Sequence, residues 1–397
     1  MTDQLRPAEP VAPEGVRQRN LARLLRSIHL QGPLSRAVLT EMTGLNRSTI
    51  ADLVGELVRA GLAEERAPDP SRRVGRPSPV VAVAPDVVAI AANPEVDAIE
   101  IAAVGLDQSI RARARIATDT LLSPVDTASI IAAQLDRWRA DELADCRIVG
   151  IGLAVPGLVR RSDGLVRDAP HLFWRDEPVR DVVSAATGLP VAVGNDASLG
   201  AIAEHLYGAA RGIDDVVYLN GGASGIGGGL IVHGHLVGGA NGYAGEFGQN
   251  RPGIASTGDR RADGGVLEDE VSRARLVAAL AAGAIDDDAI GAALAASESP
   301  DVIDEVARQR RILATALANA VNVLNPAVIV LGGFLAVLAD LDRDGLERAV
   351  REHAMSANAE DVSVRSAVLA HDRLLIGAAE AAFAPLLAEP DTIAPAR

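Results

Sequence analysis

From Val87 to the C-terminus, short apolar runs alternate with alanine-rich helical runs, and that alternation leaves few architectures open. VVAIAAN, IEIAAVG and the stretch from Ser109 to Ala117 read as strands, Pro124 to Glu142 as a helix, and IVGIGLAVPG as the next strand. Beyond VVSAATGLPVAVGNDAS come a helix bearing Ala201, Ala203 and Glu204, a glycine-rich strand pair in VVYLNGGASGIGGGLIV, a buried strand in Pro326-AVIVLGGF and a closing helix in LLIGAAEAAFAPLLAE. This order predicts an α/β body over residues 85–397. Its glycines Gly221, Gly222, Gly225, Gly227, Gly228 and Gly229 suit either backbone amides approaching a phosphate or a tight hairpin between buried strands.

The first 85 residues carry a different period. Leu21, Leu24, Leu25 and Ile28 recur at helical spacing until Gln31-Gly32-Pro33 stops them. Ser35 is a good N-cap for a short second helix with a Val38, Leu39, Met42 stripe ending at Gly44. Asn46 or Ser48 caps a third helix, whose Ile50, Leu53, Val54, Leu57 and Val58 face inward up to Gly61. Two helices joined by a short turn read as helix-turn-helix, and LAEE and VVAVAP, flanking DPSRRVGRPSP, read as a two-stranded wing. Residues 15–84 are therefore predicted to be a winged helix-turn-helix, and residues 1–14, acidic and proline-rich, a disordered tail.

Charge separates the two parts. The 397-residue chain has net charge -15, yet residues 15–80 hold 11 Arg against 6 acids. A basic module on an acidic body suits a protein that meets nucleic acid with one end and repels it elsewhere. The expected DNA contacts are Ser35 and Arg36 at the second helix, Arg47, Ser48 and Thr49 at the start of the third, and Arg72, Arg73 and Arg76 in the wing tip. Gly75-Arg76-Pro77 resembles the core of an AT-hook, which suits a narrow minor groove. The same three helices and wing could instead dock a protein.

All 38 basic residues are Arg. Without Lys, P-loop and Schiff-base chemistries are excluded. The single Cys146 excludes an intramolecular disulfide and fits a reducing cytosol. No apolar run is long enough to span a bilayer, and the N-terminus lacks a signal-peptide pattern, so a cytoplasmic location is expected.

Together the segments SRAVLTEMTGLNRSTIADLVGELVRAGLAEE, GRPSP, GIGLAVPGLV, NDASLGAIAEHLYGAARG, GGASGIGGGLIVHG, GGANGYAGEFGQ and VIVLGG resemble the ROK family of bacterial sugar kinases and sugar-responsive repressors. The resemblance implies a two-lobed, ribonuclease-H-like (actin-like) body, and the N-terminal module points to the repressor branch. It also implies a sugar site. Asn195 and Asp196 match the family's sugar-orienting Asn and catalytic Asp, Glu246 the Glu of its AGE motif, Gln249 a position held by His, and Glu268 a Glu after the zinc cluster. Gly157 matches a loop glycine beside the sugar. Carboxylates and amides around a ring of hydroxyls make chemical sense, since they accept and donate in the pattern a sugar requires.

Two departures change the expectation. Family kinases open the body with Asp-x-Gly-x-Thr around the ATP phosphates, whereas the matching stretch here is AIAANPEVDAIEIAAV, with Pro94 and Glu95 where amides should face an anion. Asp196 is therefore expected to be a sugar ligand and not a working base. The family's zinc site uses one His and three Cys, whereas this chain offers Gln249 and ASTGDRRADGGVLED without a thiol, so no metal and no cofactor is expected.

The resulting expectation is a non-enzymatic transcriptional regulator, a repressor of carbohydrate genes, whose DNA affinity a sugar modulates. Its partners would be a palindromic double-stranded operator, a neutral sugar and further copies of itself, as a dimer or tetramer. The alternatives are an ATP-using sugar kinase with an accessory DNA-binding module, told apart by the phosphate turn, and a regulator whose body docks a protein.

Overall fold

The N-terminal helices share a core with the last helix of the chain, and the rest of the fold is arranged around that joint. The computed structural model describes residues 13–67, 78–254, 256–283 and 285–391. Residues 1–12 of the expected tail, and Arg72, Arg73 and Arg76, lie outside the described residues.

The N-terminal part runs α1 (Pro13–Gln31), β1 (Leu34–Ser35), α2 (Arg36–Thr43), α3 (Arg47–Arg59), β2 (Ala63–Arg66) and β3 (Val80–Val83), with β3 antiparallel to both β1 and β2. Local chemistry sets the helix ends. Ser35 Oγ accepts from the Val38 amide, and Gly44 closes α2 at φ 71°. Asn46, not Ser48, caps α3 by accepting from the Thr49 amide at 2.8 Å. Ile50, Leu53, Val54 and Leu57 are buried as expected, but Val58 and Val38 are exposed. Val58 follows the buried Leu57 and Val38 precedes the buried Leu39, each turned about 100° from it towards the exposed side of its helix.

The first lobe contains β4 (Val87–Pro94), β5 (Ala98–Gly105), β6 (Ile110–Ala117), α4 (Pro124–Ala140), β7 (Arg147–Val155), a small sheet of β8 (Leu158–Val159), β9 (Val166–Ala169) and β10 (Trp174–Glu177), α5 (Val179–Thr187) and β11 (Val191–Asn195). Its main sheet has the order β11-β7-β4-β5-β6, antiparallel over β4 to β6 and parallel over β4, β7 and β11. Burial differs by strand. β4 is buried throughout, while edge strand β6 alternates, with Arg111, Arg113 and Arg115 on its outer face.

Helix α6 (Asp196–Tyr207) leads to the second lobe: β12 (Val216–Gly222), β13 (Gly225–Val232), β14 (His235–Leu236), α7 (Leu267–Glu270), α8 (Arg273–Ala279), α9 (Asp287–Ala296), α10 (Pro300–Leu324), β15 (Val328–Gly333), α11 (Phe334–Asp340), α12 (Arg343–His353), α13 (Ser356–Ala359) and β16 (Ser363–Ser366). Its sheet has the order β14-β13-β12-β15-β16. The final helix, α14 (Arg373–Ala388), returns to pack on β4 and β7 of the first lobe and on α6. Leu24, Leu25 and Ile28 of α1 belong to the same buried cluster as Ala378, Phe383 and Leu386 of α14.

Among the described residues, no helix is long and apolar enough to cross a membrane.

Candidate functional site

The parallel strands of the first lobe end at a cleft between the lobes, the usual place for ligands in sheets of this kind. All six residues expected to hold a sugar (Gly157, Asn195, Asp196, Glu246, Gln249 and Glu268) line this one cavity of about 450 Å³. Sequence separation placed them up to 111 positions apart; β11, the α6 N-terminus and α7 bring them together.

Asn195 and Asp196 sit where β11 becomes α6. Asn195 Oδ1 accepts from the Ser198 amide at 2.9 Å as the N-cap, and its Nδ2 donates to the Gly157 carbonyl at 3.0 Å. Both ends of the amide are thus occupied, so Asn195 shapes the cleft as much as it faces it. Gly157 has no room for a side chain: a Cβ would lie 2.4 Å from the Asp168 carbonyl oxygen. Asp196 accepts from the Ala197 amide at 2.8 Å. Desolvation pushes its carboxyl up to about 6, against the pull of that amide, Arg373 and His171.

Glu246 opens onto the cleft, and its carboxyl is raised by desolvation and by the charges of Asp196 and Glu268. Glu268 is held on two sides, since Oε2 accepts from the Ile226 amide at 3.0 Å and Oε1 from Gln249 Nε2 at 2.6 Å. Gly225, at φ +135°, lets this carboxylate in; a Cβ there would lie 2.3 Å from Glu268 Oε2. Gly227 and Gly229 similarly permit close packing of β13 on Ala197 and Ala201. Close packing therefore accounts for these glycines, in keeping with the hairpin reading.

His171, Asn220 and Ser224 also line the cleft and were not anticipated. His171 Nε2 donates to the Ser224 carbonyl at 2.9 Å, joining the first lobe to the β12–β13 turn of the second. Asn220 Oδ1 is buried without a hydrogen-bond partner. No local pattern singles out these residues, because each reaches the cleft only through the closure of one lobe on the other.

The turn that would face a nucleotide phosphate is tight and acidic. The Glu95 amide donates to the Ala98 carbonyl at 2.7 Å, and the Glu95 carboxylate accepts from Asn93 and pairs with Arg115. An anionic phosphate would meet a carboxylate there, with the turn's amide already used.

The zinc that the family resemblance implies does not fit the residues present. Gln249 Nε2 is committed to Glu268, and no thiolate lies nearby. Among the described residues, no three His, Cys, Asp or Glu side chains converge to hold a metal. Ionic contacts anchor the loop instead. The buried Arg308 pairs with the buried Glu270 at 2.9 Å and donates to the Asp259 carbonyl at 2.8 Å. Glu270 in turn accepts from the Arg261 and Ala262 amides, and Arg311 pairs with Asp259.

On the N-terminal part, Arg47 and Ser48 are exposed at the start of α3 beside the partly buried Thr49. Arg36 has other surroundings: its guanidinium pairs with Glu65 of β2 and is half-buried. That pair ties α2 to the sheet and leaves Arg36 less available to a phosphate than Arg47.

Comparison with known proteins adds the relatives. The ROK family pattern matches residues 95–384. A xylose repressor of Caldicellulosiruptor bescii is 25% identical over 406 residues, covering 95% of this chain and 98% of the relative. A glucokinase of Streptomyces coelicolor is 31% identical over 266 residues, covering 62% of this chain and 82% of that enzyme. In three dimensions, a ROK family transcriptional regulator, a homologue of the E. coli MLC protein, superposes with TM-score 0.76 at 23% identity, covering 94% of this chain and 97% of the other. A ROK family glucokinase from Streptomyces griseus, solved with glucose and AMPPNP, superposes with TM-score 0.56 at 24% identity over 74% of this chain and 98% of the enzyme.

Proposed function

The chain belongs to the ROK family, and from that premise we propose that it is a DNA-binding transcriptional repressor of carbohydrate genes whose DNA affinity is set by a sugar in a non-catalytic cleft. One observation carries the reading: similarity to the C. bescii xylose repressor runs through 95% of the chain, whereas similarity to the S. coelicolor glucokinase covers 62%.

Residues 15–84 act as a winged helix-turn-helix. The α2–α3 pair presents Arg47, Ser48 and Thr49 to base edges and phosphates, while Ser35 orders α2 by capping it. The wing arginines Arg72, Arg73 and Arg76 follow the backbone or the minor groove. Residues 85–397 form the effector body. Asp196, Glu246 and Glu268 accept hydroxyl hydrogen bonds, Gln249 fixes Glu268, and Asn195 with Gly157 shapes the floor. Three carboxylates favour a neutral sugar over a sugar phosphate. The protein works in the cytoplasm as a homo-oligomer on a palindromic operator.

A second reading rests on Asp196, whose carboxyl at about 6 would serve as a general base near neutral pH. The Glu95 turn opposes it, since its amide is already used by the Ala98 carbonyl and Arg115 is already paired with Glu95. The test combines duplex selection from a randomised library with a thermal-shift screen of neutral sugars and sugar phosphates. A selected duplex, together with a neutral sugar that raises the midpoint and changes duplex affinity, is expected. ATP-dependent phosphorylation of that sugar above an Asp196→Ala control would overturn the non-catalytic assignment.

A further inference from the structure

His29 belongs to α1, yet its side chain is buried against the body. Nδ1 donates to the Leu106 carbonyl at 2.6 Å, and Nε2 stands 2.9 Å from Glu380 Oε1 on α14. The hydroxyl of Tyr207, the last residue of α6, donates to the same Glu380 oxygen at 2.7 Å and lies 2.9 Å from His29 Nε2. The rings of Tyr207 and Phe383 meet the imidazole edge-on. Burial opposes charge on the imidazole, but Glu380 and the Leu106 carbonyl outweigh it and raise the ring above its ordinary value. The contacts of a buried acid, phenol and imidazole depend on one another, because removing one partner leaves the others a hydrogen bond short.

The position of Tyr207 gives the cluster its meaning. Helix α6 begins at Asp196 in the cleft and ends at Tyr207, its twelfth residue. An α-helix transmits displacement along its axis as a rigid element, here over about 18 Å. Helix α14 has no slack against it: a Cβ at Gly377 would lie 2.1 Å from the Leu199 carbonyl oxygen. The two helices that reach His29 are therefore locked together, and one of them starts with a cleft carboxylate. Further contacts close the same seam. Gln108 Nε2 donates to the His29 carbonyl at 2.6 Å, and Arg147 to the Ala60 carbonyl at 2.9 Å.

We propose that the His29–Glu380–Tyr207 cluster is the joint through which occupancy of the cleft is read by the N-terminal helices. A ligand drawn onto Asp196 biases the placement of α6, and the phenol, carboxylate and imidazole contacts pass that bias to α1, and so to the orientation of α2 and α3. The proposal rests on the regulator reading and names its route of regulation. His29, Glu380 and Tyr207 are positioning residues, since none lines the cleft.

The test uses the full-length protein and a duplex selected by the wild type from a randomised library, with D-xylose and D-glucose as probes. Duplex affinity is measured with and without each sugar, and sugar binding is followed separately by thermal shift, for the wild type, Tyr207→Phe and Glu380→Gln. Ordinary coupling changes affinity roughly 5- to 150-fold. The expected result is that Tyr207→Phe, or Glu380→Gln where Tyr207→Phe does not fold, keeps sugar binding and sugar-free duplex affinity within about twofold while losing most of that change. Full coupling in a folded Tyr207→Phe protein overturns the joint and leaves the regulator reading intact. Full coupling in Glu380→Gln does the same if Tyr207→Phe fails to fold. Failure of both variants to fold assigns the cluster to stability and overturns the joint. A wild type whose duplex affinity neither sugar changes removes the regulator reading for these sugars and the joint with it.

Discussion

Asp196 and Tyr207 stand at opposite ends of one uninterrupted helix, so a carboxylate facing the cleft and a phenol touching α1 belong to a single rigid body. The cleft end of that body is held in an electrostatically costly state.

Replacing Asp196 should separate stability from binding. Burial raises its carboxyl from an ordinary 3.8 to about 6 in the folded chain. Between those values the folded state holds the proton more tightly, so this group's contribution to stability falls as pH rises through the window, and the penalty persists at neutral pH. Asp196→Asn is expected to raise neutral-pH stability by about 1–3 kcal/mol while weakening sugar binding at least tenfold. Denaturant unfolding at pH 5 and pH 7.5, beside calorimetric titration, checks both; a destabilised variant at pH 7.5 would contradict the desolvation argument.

Arg308 carries the loop that lacks zinc ligands. Its guanidinium and the Glu270 carboxylate are both buried, and breaking such a pair costs about 3–5 kcal/mol because one charge is left uncompensated. Arg308→Met should therefore lower the unfolding midpoint clearly and weaken sugar binding through the displaced Glu268. Chelator treatment of the wild type should change neither property, and stoichiometric zinc by elemental analysis would refute the ionic anchoring.

Gly225 is predicted to be intolerant of any side chain. At φ +135°, with a Cβ only 2.3 Å from Glu268 Oε2, Gly225→Ala must move the carboxylate or the β12–β13 turn. Loss of sugar binding with duplex affinity retained is expected, as read by titration and gel shift. Unchanged sugar affinity would mean that Glu268 does not contact the ligand.

Arg47 and Arg36 should behave differently in DNA binding, although both are basic and both lie on helical segments of the basic part. Arg47→Ala is expected to cost about 1–3 kcal/mol of duplex affinity with relaxed specificity, as for a base-edge contact. Arg36, paired with Glu65, should cost less on the duplex and more in stability. Salt-dependent binding curves for both variants check this, and equal losses would mean that the Arg36–Glu65 pair opens on DNA.

Local pattern located most of this molecule. Helix caps at Ser35 and Asn46, the turn at Gly44 and the strands VVAIAAN and IVGIGLAVPG each follow from a few neighbouring side chains, so they are legible without a fold. The 25-residue α10 was not, because its charged Glu305, Arg308 and Arg311 hide an amphipathic face that only its buried partners reveal. The cleft residues were found through a family resemblance, not through spacing.

The sequence alone determined a basic helical segment before an acidic α/β body and a chain without lysine or paired thiols. These follow from composition and from periods a few residues long. Only the tertiary structure decided that His29 meets Glu380 and Tyr207, that Arg36 is occupied by Glu65, and that Arg308 pairs with Glu270 and reaches the Asp259 carbonyl. Each depends on contacts between residues tens or hundreds of positions apart, and burial, not residue type, sets whether such a group is a free charge, an ion-pair partner or a joint.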